Sequence, residues 1–157
     1  MPLANILIRE ARPEDAEAMV ALLQPIIDAG LTAIESTSVE EQLAFIQLFP
    51  ENGIILVAVD AETGRLLGMQ DVMFTEDPDV GEIGTFVDLD FRGKGVGNKL
   101  FFKMVNYLKG TEIKLIKAVI QPTNIGAQSF YSKLGFSSFT IFDQKAVYRF
   151  YLPSKYL

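Results

Sequence analysis

Arg92-Gly93-Lys94-Gly95-Val96-Gly97-Asn98 is the stretch of this sequence best suited to hold a charged ligand. Glycines at alternate positions let the backbone take positive φ and turn successive N–H groups toward one point. Alternating apolar residues predict a strand over Glu82 to Leu89 just before the loop. Leu100, Met104, Val105 and Leu108 share one helical face, so a helix begins near Gly95. Its free first-turn N–H groups and positive dipole end add to the cradle, and Arg92 and Lys94 add charge. The implied chemistry is phosphate binding. The loop lacks the Gly-Lys-Ser/Thr ending of nucleotide-hydrolysing loops. It also lacks the Gly-x-Gly-x-x-Gly spacing of dinucleotide folds, because Asn98 stands where the third glycine belongs. It fits Arg/Gln-x-x-Gly-x-Gly/Ala. Taken alone, the stretch also reads as an ordinary tight strand-to-helix turn.

Composition restricts what can accompany such a cradle. The 157 residues include no His and no Cys. That removes a Ser-His-Asp triad, a Cys nucleophile and a zinc site made from those side chains. Proton transfer falls to carboxylates, Tyr, Lys, a terminus or water. An enzyme of this composition positions two reactants and moves protons without a triad-type covalent intermediate. The net charge of −6, from 20 acidic and 14 basic residues, argues against non-specific binding to nucleic acid or anionic membranes. It suits a neutral or cationic substrate, and equally a surface that is simply kept soluble.

The elements that must position these residues follow from periodicity and punctuation. The length predicts one domain, residues 1–157. Asn5 to Arg9 alternates as a strand. Pro13-Glu14-Asp15 starts a helix whose stripe is Ala16, Met19, Val20 and Leu23, broken or ended between Pro25 and Gly30. Ser38-Val39-Glu40-Glu41 is a capping box for a second helix reaching about Phe49, stopped by Pro50 and Gly53. Ile54 to Val59 and Arg65 to Phe74 are strands joined by a turn at residues 60–64, with Gly68 a candidate bulge. After the glycine loop and its helix come a strand over Lys114 to Ile120 and a helix from an Asn124 cap to Leu134. Strands over Ser137 to Phe142 and Ala146 to Leu152 close the chain. The order β-α-α-β-β-β-α-β-α-β-β predicts an α/β (α+β) domain, a mixed sheet of six to seven strands with helices on both faces. No apolar run approaches the roughly 20 residues needed to span a bilayer. The N-terminus carries no basic-then-apolar leader, so the expected location is cytoplasmic.

A second segment, Asn124-Ile125-Gly126-Ala127-Gln128-Ser129-Phe130-Tyr131-Ser132-Lys133-Leu134-Gly135-Phe136, follows about thirty residues after the glycine loop. In order and spacing the two segments resemble the coenzyme-A-binding motifs of the GNAT superfamily of N-acetyltransferases. The resemblance is most specific from Glu82 to Phe136. Thr32-Ala33-Ile34-Glu35 and the capped helix after it loosely resemble the phosphinothricin and small amino-acid branch, which carries Phe where Ile34 stands. Membership would make acetyl-CoA the co-substrate, with no metal. Thr85, Phe86 and Val87 would lie along the pantetheine arm at a splayed strand edge. Arg92, Gly93, Lys94, Gly95, Val96, Gly97 and Asn98 would wrap the pyrophosphate. Asn124 would touch the pantetheine or diphosphate arm, and Tyr131 would sit near the thioester sulfur. Leu89 stands where the family often has Pro.

That resemblance implies direct attack of an amine on the thioester, with backbone N–H near Val87 stabilising the oxyanion. The leaving thiol has a reference pKa of about 8.5, so Tyr131, at about 10, can assist it as the acid. The amine must first lose a proton. Glu35 is the first candidate base, in the loop that forms the family's substrate wall and flanked by Ala33 and Ile34, an apolar setting that would raise its pKa. Glu82 is second and Asp88 third. The acceptor would be a primary amine of a small molecule or amino acid. A coenzyme-A-binding regulatory module, a protein or peptide N-acetyltransferase, and a subunit that assembles through its C-terminal aromatics (Phe139, Phe142, Tyr148, Phe150, Tyr151) remain alternatives. A homodimer is compatible with all of them.

Overall fold

The computed structural model describes residues 5–49 and 53–152, apart from the side chains of residues 138 and 139. Pro50 and the side chain of Phe139 lie outside them. The strands are β1 (Ile6–Glu10), β2 (Ile54–Asp60), β3 (Leu66–Phe74), β4 (Val80–Val87), β5 (Leu115–Ile120), β6 (Ser137–Phe142) and β7 (Lys145–Tyr151). The helices are α1 (Ala16–Asp28), α2 (Val39–Gln47), α3 (Val96–Leu108) and α4 (Ile125–Leu134). The strands form one seven-stranded sheet in the order β1-β2-β3-β4-β5-β7-β6. Neighbours are antiparallel except β4 and β5, which run parallel. The expected α+β architecture is therefore present, with seven strands and both faces covered.

The two faces carry two cores. One packs Met19, Leu22 and Leu23 of α1 on Val57, Val59, Leu66 and Met69. The other packs Val96, Leu100, Phe101 and Met104 of α3 and Tyr131 of α4 on Leu56, Leu67, Val72, Ile116 and Ala118. Successive strand residues point to opposite faces, which is how β2 and β3 feed both cores. The Arg9 guanidinium bonds the Asp15 carboxylate at 2.8 and 2.9 Å and Arg12 N–H adds a third bond at 2.7 Å, tying β1 to the start of α1. Burial pushes the Asp15 pKa up, but these bonds and the two arginine charges outweigh it and leave it below its usual value.

α1 ends inside the window expected from the sequence: Pro25 lies in its last turns, and the chain leaves the helix after Asp28, with Gly30 at φ 70°. Other boundaries differ from the sequence reading, each for a local reason. β4 begins at Val80 and ends at Val87. Asp88 then turns the chain, its Oδ1 accepting from Asp90 N–H at 2.9 Å and opening a 3-10 turn over Leu89–Phe91. Leu89 is thus past the strand. Gly68 is not itself the bulge. The register slips opposite Leu67, between Ala58 and Val59. At Gly68 a Cβ would come within 2.9 Å of Val96 and 3.2 Å of Leu100, so the missing side chain lets α3 lie close on the sheet. The C-terminal aromatics divide: Tyr148 is buried and Phe150 packs on Phe101 and Phe136, whereas Phe142 and Tyr151 are exposed.

Candidate active site

The glycine loop joins the end of β4 to α3 through two left-handed residues, Gly93 at φ 72° and Gly95 at φ 87°. Space is open where a Cβ would stand on either. Gly95 caps α3 without a side-chain bond, and the first turn of α3 has no acidic residue. The first α-helical backbone bond there runs from Lys99 N–H to Gly95 C=O at 3.0 Å, which leaves the Val96, Gly97 and Asn98 N–H groups at the helix mouth. Arg92, Lys94 and Asn98 are exposed beside it. Phe91 takes Arg65 and Lys94 over its ring, 4.9 and 5.2 Å from the centroid, which fixes the entry to the loop. Gly97 serves another purpose than its neighbours. It lies inside α3, where a Cβ would meet the Phe130 ring at 2.6 Å, so its absent side chain seats α4 against α3. Val96 likewise gives the cradle only its backbone, because its side chain is core.

Next to the cradle the sheet opens. β4 and β5 pair only at Val80–Leu115, Gly81–Ile116 and Glu82–Lys117. Beyond Glu82, β4 keeps its β3 partner through Val87, while its other edge has no strand partner among the described residues. Asp88 N–H bonds Leu67 C=O on the β3 side at 2.9 Å. Strand alternation then turns the Thr85 and Val87 N–H groups the other way, into the gap. Thr85, Phe86 and Val87 are half-buried along this edge.

Polar side chains line the two faces of the gap separately. On the α3/α4 face, Tyr131 OH lies 2.9 Å from Thr85 Oγ1, and Gln70 Nε2 donates to the same Thr85 oxygen at 3.1 Å. Tyr131 is 4 % exposed. Burial pushes its pKa well above the usual tyrosine value; the Thr85 bond opposes the rise and the Asp71 charge adds to it. The phenol is therefore a neutral proton carrier. Gln70 is fully buried, and its Oε1 has no partner among the described residues, an arrangement that costs about 1–3 kcal/mol.

On the α1/α2 face stand Glu82, Gly84 and Phe86. Glu82 is exposed and lies 3.9 Å from Lys117 Nζ. Asp71 pairs with Gly84 across β3 and β4. A Cβ on Gly84 would be 3.3 Å from Asp71 Oδ2, so the carboxyl lies over bare backbone. Burial, with a smaller contribution from the Glu82 charge, pushes the Asp71 pKa up to about 7.

The other sequence candidates are placed as follows. Glu35 is exposed on the connection between α1 and α2, and Ala33 and Ile34 beside it are exposed too, so the expected apolar setting is not there. Asp88 is committed elsewhere, bonded to Arg65 at 2.8 Å and to Asp90 N–H. Asn124 caps α4 through Ala127 N–H at 3.0 Å, and its Nδ2 donates to Leu31 C=O at 3.1 Å. Its side chain thus tethers the Glu35 connection to α4, leaving one amide hydrogen for any other contact. Gln70 and Asp71 were missed in the sequence. Their signal was a polar pair in the middle of an otherwise apolar strand, Leu66-Leu67-Gly68-Met69-Gln70-Asp71-Val72-Met73.

An open gap between parallel strands, a glycine cradle at its end and a buried phenol on its wall agree with one protein class. The chain matches the Acetyltransferase (GNAT) family model over residues 10–136, and it belongs to that family. An uncharacterised N-acetyltransferase of Methanocaldococcus jannaschii is 40% identical over 62 residues, which cover 39% of this chain and 27% of that protein. An N-acetyltransferase of Staphylococcus aureus Mu50 superposes with a TM-score of 0.81 at 22% identity, over 96% of this chain and 100% of the other. A phosphinothricin acetyltransferase of Sinorhizobium meliloti, solved with acetyl-CoA, gives 0.79 at 17% identity over 94% and 89%. These structural likenesses concern the fold.

Proposed function

We propose that the chain is an acetyl-CoA-dependent N-acetyltransferase, a single domain over residues 1–157, that acetylates a primary amine of a small molecule or amino acid by direct attack in a ternary complex. The observation carrying this reading is the β4–β5 gap, which begins beyond Glu82 and runs beside the Gly93–Gly95 cradle with the Tyr131–Thr85 pair on its wall. The residues fit the group: left-handed glycines with open space over them and free first-turn N–H groups suit a pyrophosphate.

Acetyl-CoA would supply an activated thioester carbonyl and a thiolate leaving group. Backbone N–H groups from residues 93–98 hold the diphosphate, with Arg92 and Lys94 beside it. The Val87 N–H faces the gap and serves the oxyanion; the Thr85 N–H holds the amide arm. Tyr131 would donate its proton to the departing sulfur and be reprotonated, through water, by the second proton that the nitrogen sheds as the amide forms. Glu82, at the last paired position before the gap, takes the proton of the incoming ammonium through water, with Asp71 on the same face. Glu35 is the second candidate, on the connection that Asn124 tethers. Acid and base thus stand on opposite faces of the sheet, and the two reactants meet in the gap between them. Much of the acceleration comes from holding them in line.

Thermal-shift titration with acetyl-CoA, coenzyme A, ATP and NAD side by side tests the cofactor. A ligand at about 100 times its dissociation constant stabilises by about 2.7 kcal/mol. A shift with the coenzyme A compounds alone supports the reading, and thiol release over an amine panel then finds the acceptor. A shift with ATP or NAD, or with none, withdraws it. Binding without turnover on any amine favours the regulatory-module alternative.

A further inference from the structure

Gln70 has no place in the chemistry above, yet it is the one residue buried completely among the polar and charged side chains of the described core. Its surroundings on that face are apolar: Val72, Ile83, Leu100 and Met104 are all buried there. A leucine or methionine would fill that space without leaving an oxygen unpaired. What the amide does have is one bond, from Nε2 to Thr85 Oγ1 at 3.1 Å, and Thr85 is the residue that touches Tyr131.

The direction of the Thr85–Tyr131 bond follows from counting hydrogens. With Nε2 turned to Thr85, the Gln70 amide donates and occupies one of the two lone pairs of Thr85 Oγ1, and its oxygen is turned away from the Thr85 proton. Among the described residues the only other partner of that hydroxyl is Tyr131 OH, 2.9 Å away. Sending the Thr85 proton to the Tyr131 oxygen is the arrangement that pairs it; the reverse direction would use the second lone pair of Thr85 and leave that proton without an acceptor among the described residues. The phenolic proton is then directed away from Thr85 and is available to the gap. Without Gln70, both lone pairs of Thr85 Oγ1 are open to the phenolic proton and Thr85 is a weaker donor, so the phenolic proton can turn back into the protein. Hydrogen bonds in such a chain also polarise one another, so donation into the Tyr131 oxygen makes the phenol a better donor.

We infer that Gln70 is a positioning residue that, through Thr85, aims the Tyr131 proton at the thiol sulfur of coenzyme A. This rests on the proposed role of Tyr131, and the test keeps the two apart without needing the acceptor amine. A donor aimed at the sulfur favours the bound thiolate over the bound thiol and so lowers the thiol pKa in the complex. The affinity for coenzyme A then rises with pH between the bound and the free thiol pKa. Affinity for acetyl-CoA, which has no such proton, serves as the reference at each pH.

Calorimetry with coenzyme A and acetyl-CoA from pH 6.5 to 10 on the natural protein, Gln70→Met, Thr85→Val and Tyr131→Phe gives the answer. The natural protein is expected to gain on the order of tenfold for coenzyme A relative to acetyl-CoA, equivalent to about one pKa unit. Tyr131→Phe and Gln70→Met are each expected to flatten that rise while acetyl-CoA affinity stays within about threefold, and adding Gln70→Met to Tyr131→Phe changes nothing more. Thr85→Ser, which keeps the hydroxyl, restores the rise that Thr85→Val removes; this pair carries the test if Gln70→Met does not fold. A natural protein with no rise would remove Tyr131 as the sulfur's donor. A rise lost in Tyr131→Phe but intact in Gln70→Met, or intact in Thr85→Val, would overturn the role given to Gln70 alone.

Discussion

At the scale of single residues, two titratable groups with displaced pKa values sit on opposite sides of one strand pair. Tyr131 is buried, and burial pushes its pKa well above the usual tyrosine value, so it is protonated at neutral pH. Removing its hydroxyl deletes the proposed acid and leaves the ring. Tyr131→Phe should lower kcat by about 100-fold, the low end for a general acid because a thiolate leaves readily, with KM for acetyl-CoA little changed. Steady-state thiol release measures both. Asp71 has the opposite displacement for a carboxyl. Its folded pKa, about 7, lies above the ordinary value, so the native state holds its proton longer than the unfolded chain. Stability associated with it is complete below about pH 4 and is lost as pH rises toward 7 and through it. Asp71→Asn should therefore stabilise the protein at pH 8 and leave it nearly unchanged at pH 4. The gain should be on the order of 2 kcal/mol, about half the full linkage value for a carboxyl that is only half-buried. Urea unfolding at the two pH values reads the difference directly; equal gains at both would contradict the assignment.

At the scale of elements, the site is made by terminations. β4 leaves β5 after Glu82, α3 starts on a left-handed glycine, and α4 starts on Asn124. Gly95→Val places a branched side chain at φ 87°, a strain of about 1–2 kcal/mol, and fills the open space over the cradle. The protein should stay folded but lose coenzyme A binding by calorimetry, and retained affinity would displace the loop from the phosphate site. Asn124→Ala removes the α4 cap and the tether to Leu31 together. A drop of about 1–2 kcal/mol is expected in denaturant unfolding, with hydrogen exchange rising in residues 29–38 as well as at the start of α4. Pro25 and Gly97 show where element reading from the sequence stops. Pro25 stays inside α1 because the neighbouring Leu22, Leu23 and Ile26 are buried against the sheet, which outweighs one missing N–H. Gly97 keeps its N–H at the mouth of the loop, but the need for a bare Cα there comes from Phe130, 33 positions on.

At the scale of the whole molecule, no helix among the described residues is long and apolar enough to cross a membrane. The hairpin of β6 and β7 ends in exposed Ile141 and Phe142, which line the far edge of the sheet. If that edge joins two copies, light scattering will give twice the 17.4 kDa chain mass, and Phe142→Asp will return it to the single value. A natural protein that scatters as one chain would remove the homodimer.

The sequence by itself determined what depends on near neighbours. Strand alternation, the Ser38 and Asn124 caps and the backbone freedom of Gly93 and Gly95 act within a few residues, so the order of elements and the cradle could be read directly. Its two motifs, carried together, also pointed to the family. What only the tertiary structure decided depends on pairs far apart in the chain. The gap exists because β5 diverges from β4, a register that no local pattern encodes. Tyr131 meets Thr85 across 46 positions, and Gln70 meets Thr85 across 15. In one dimension Glu35 stood first among the candidate bases and Glu82 second. The fold leaves Glu35 exposed with exposed neighbours and sets Glu82 at the mouth of the gap, with Asp71 held over Gly84 beside it. Desolvation is a property of the surrounding packing, so no reading of Asp71 in sequence could have raised its pKa.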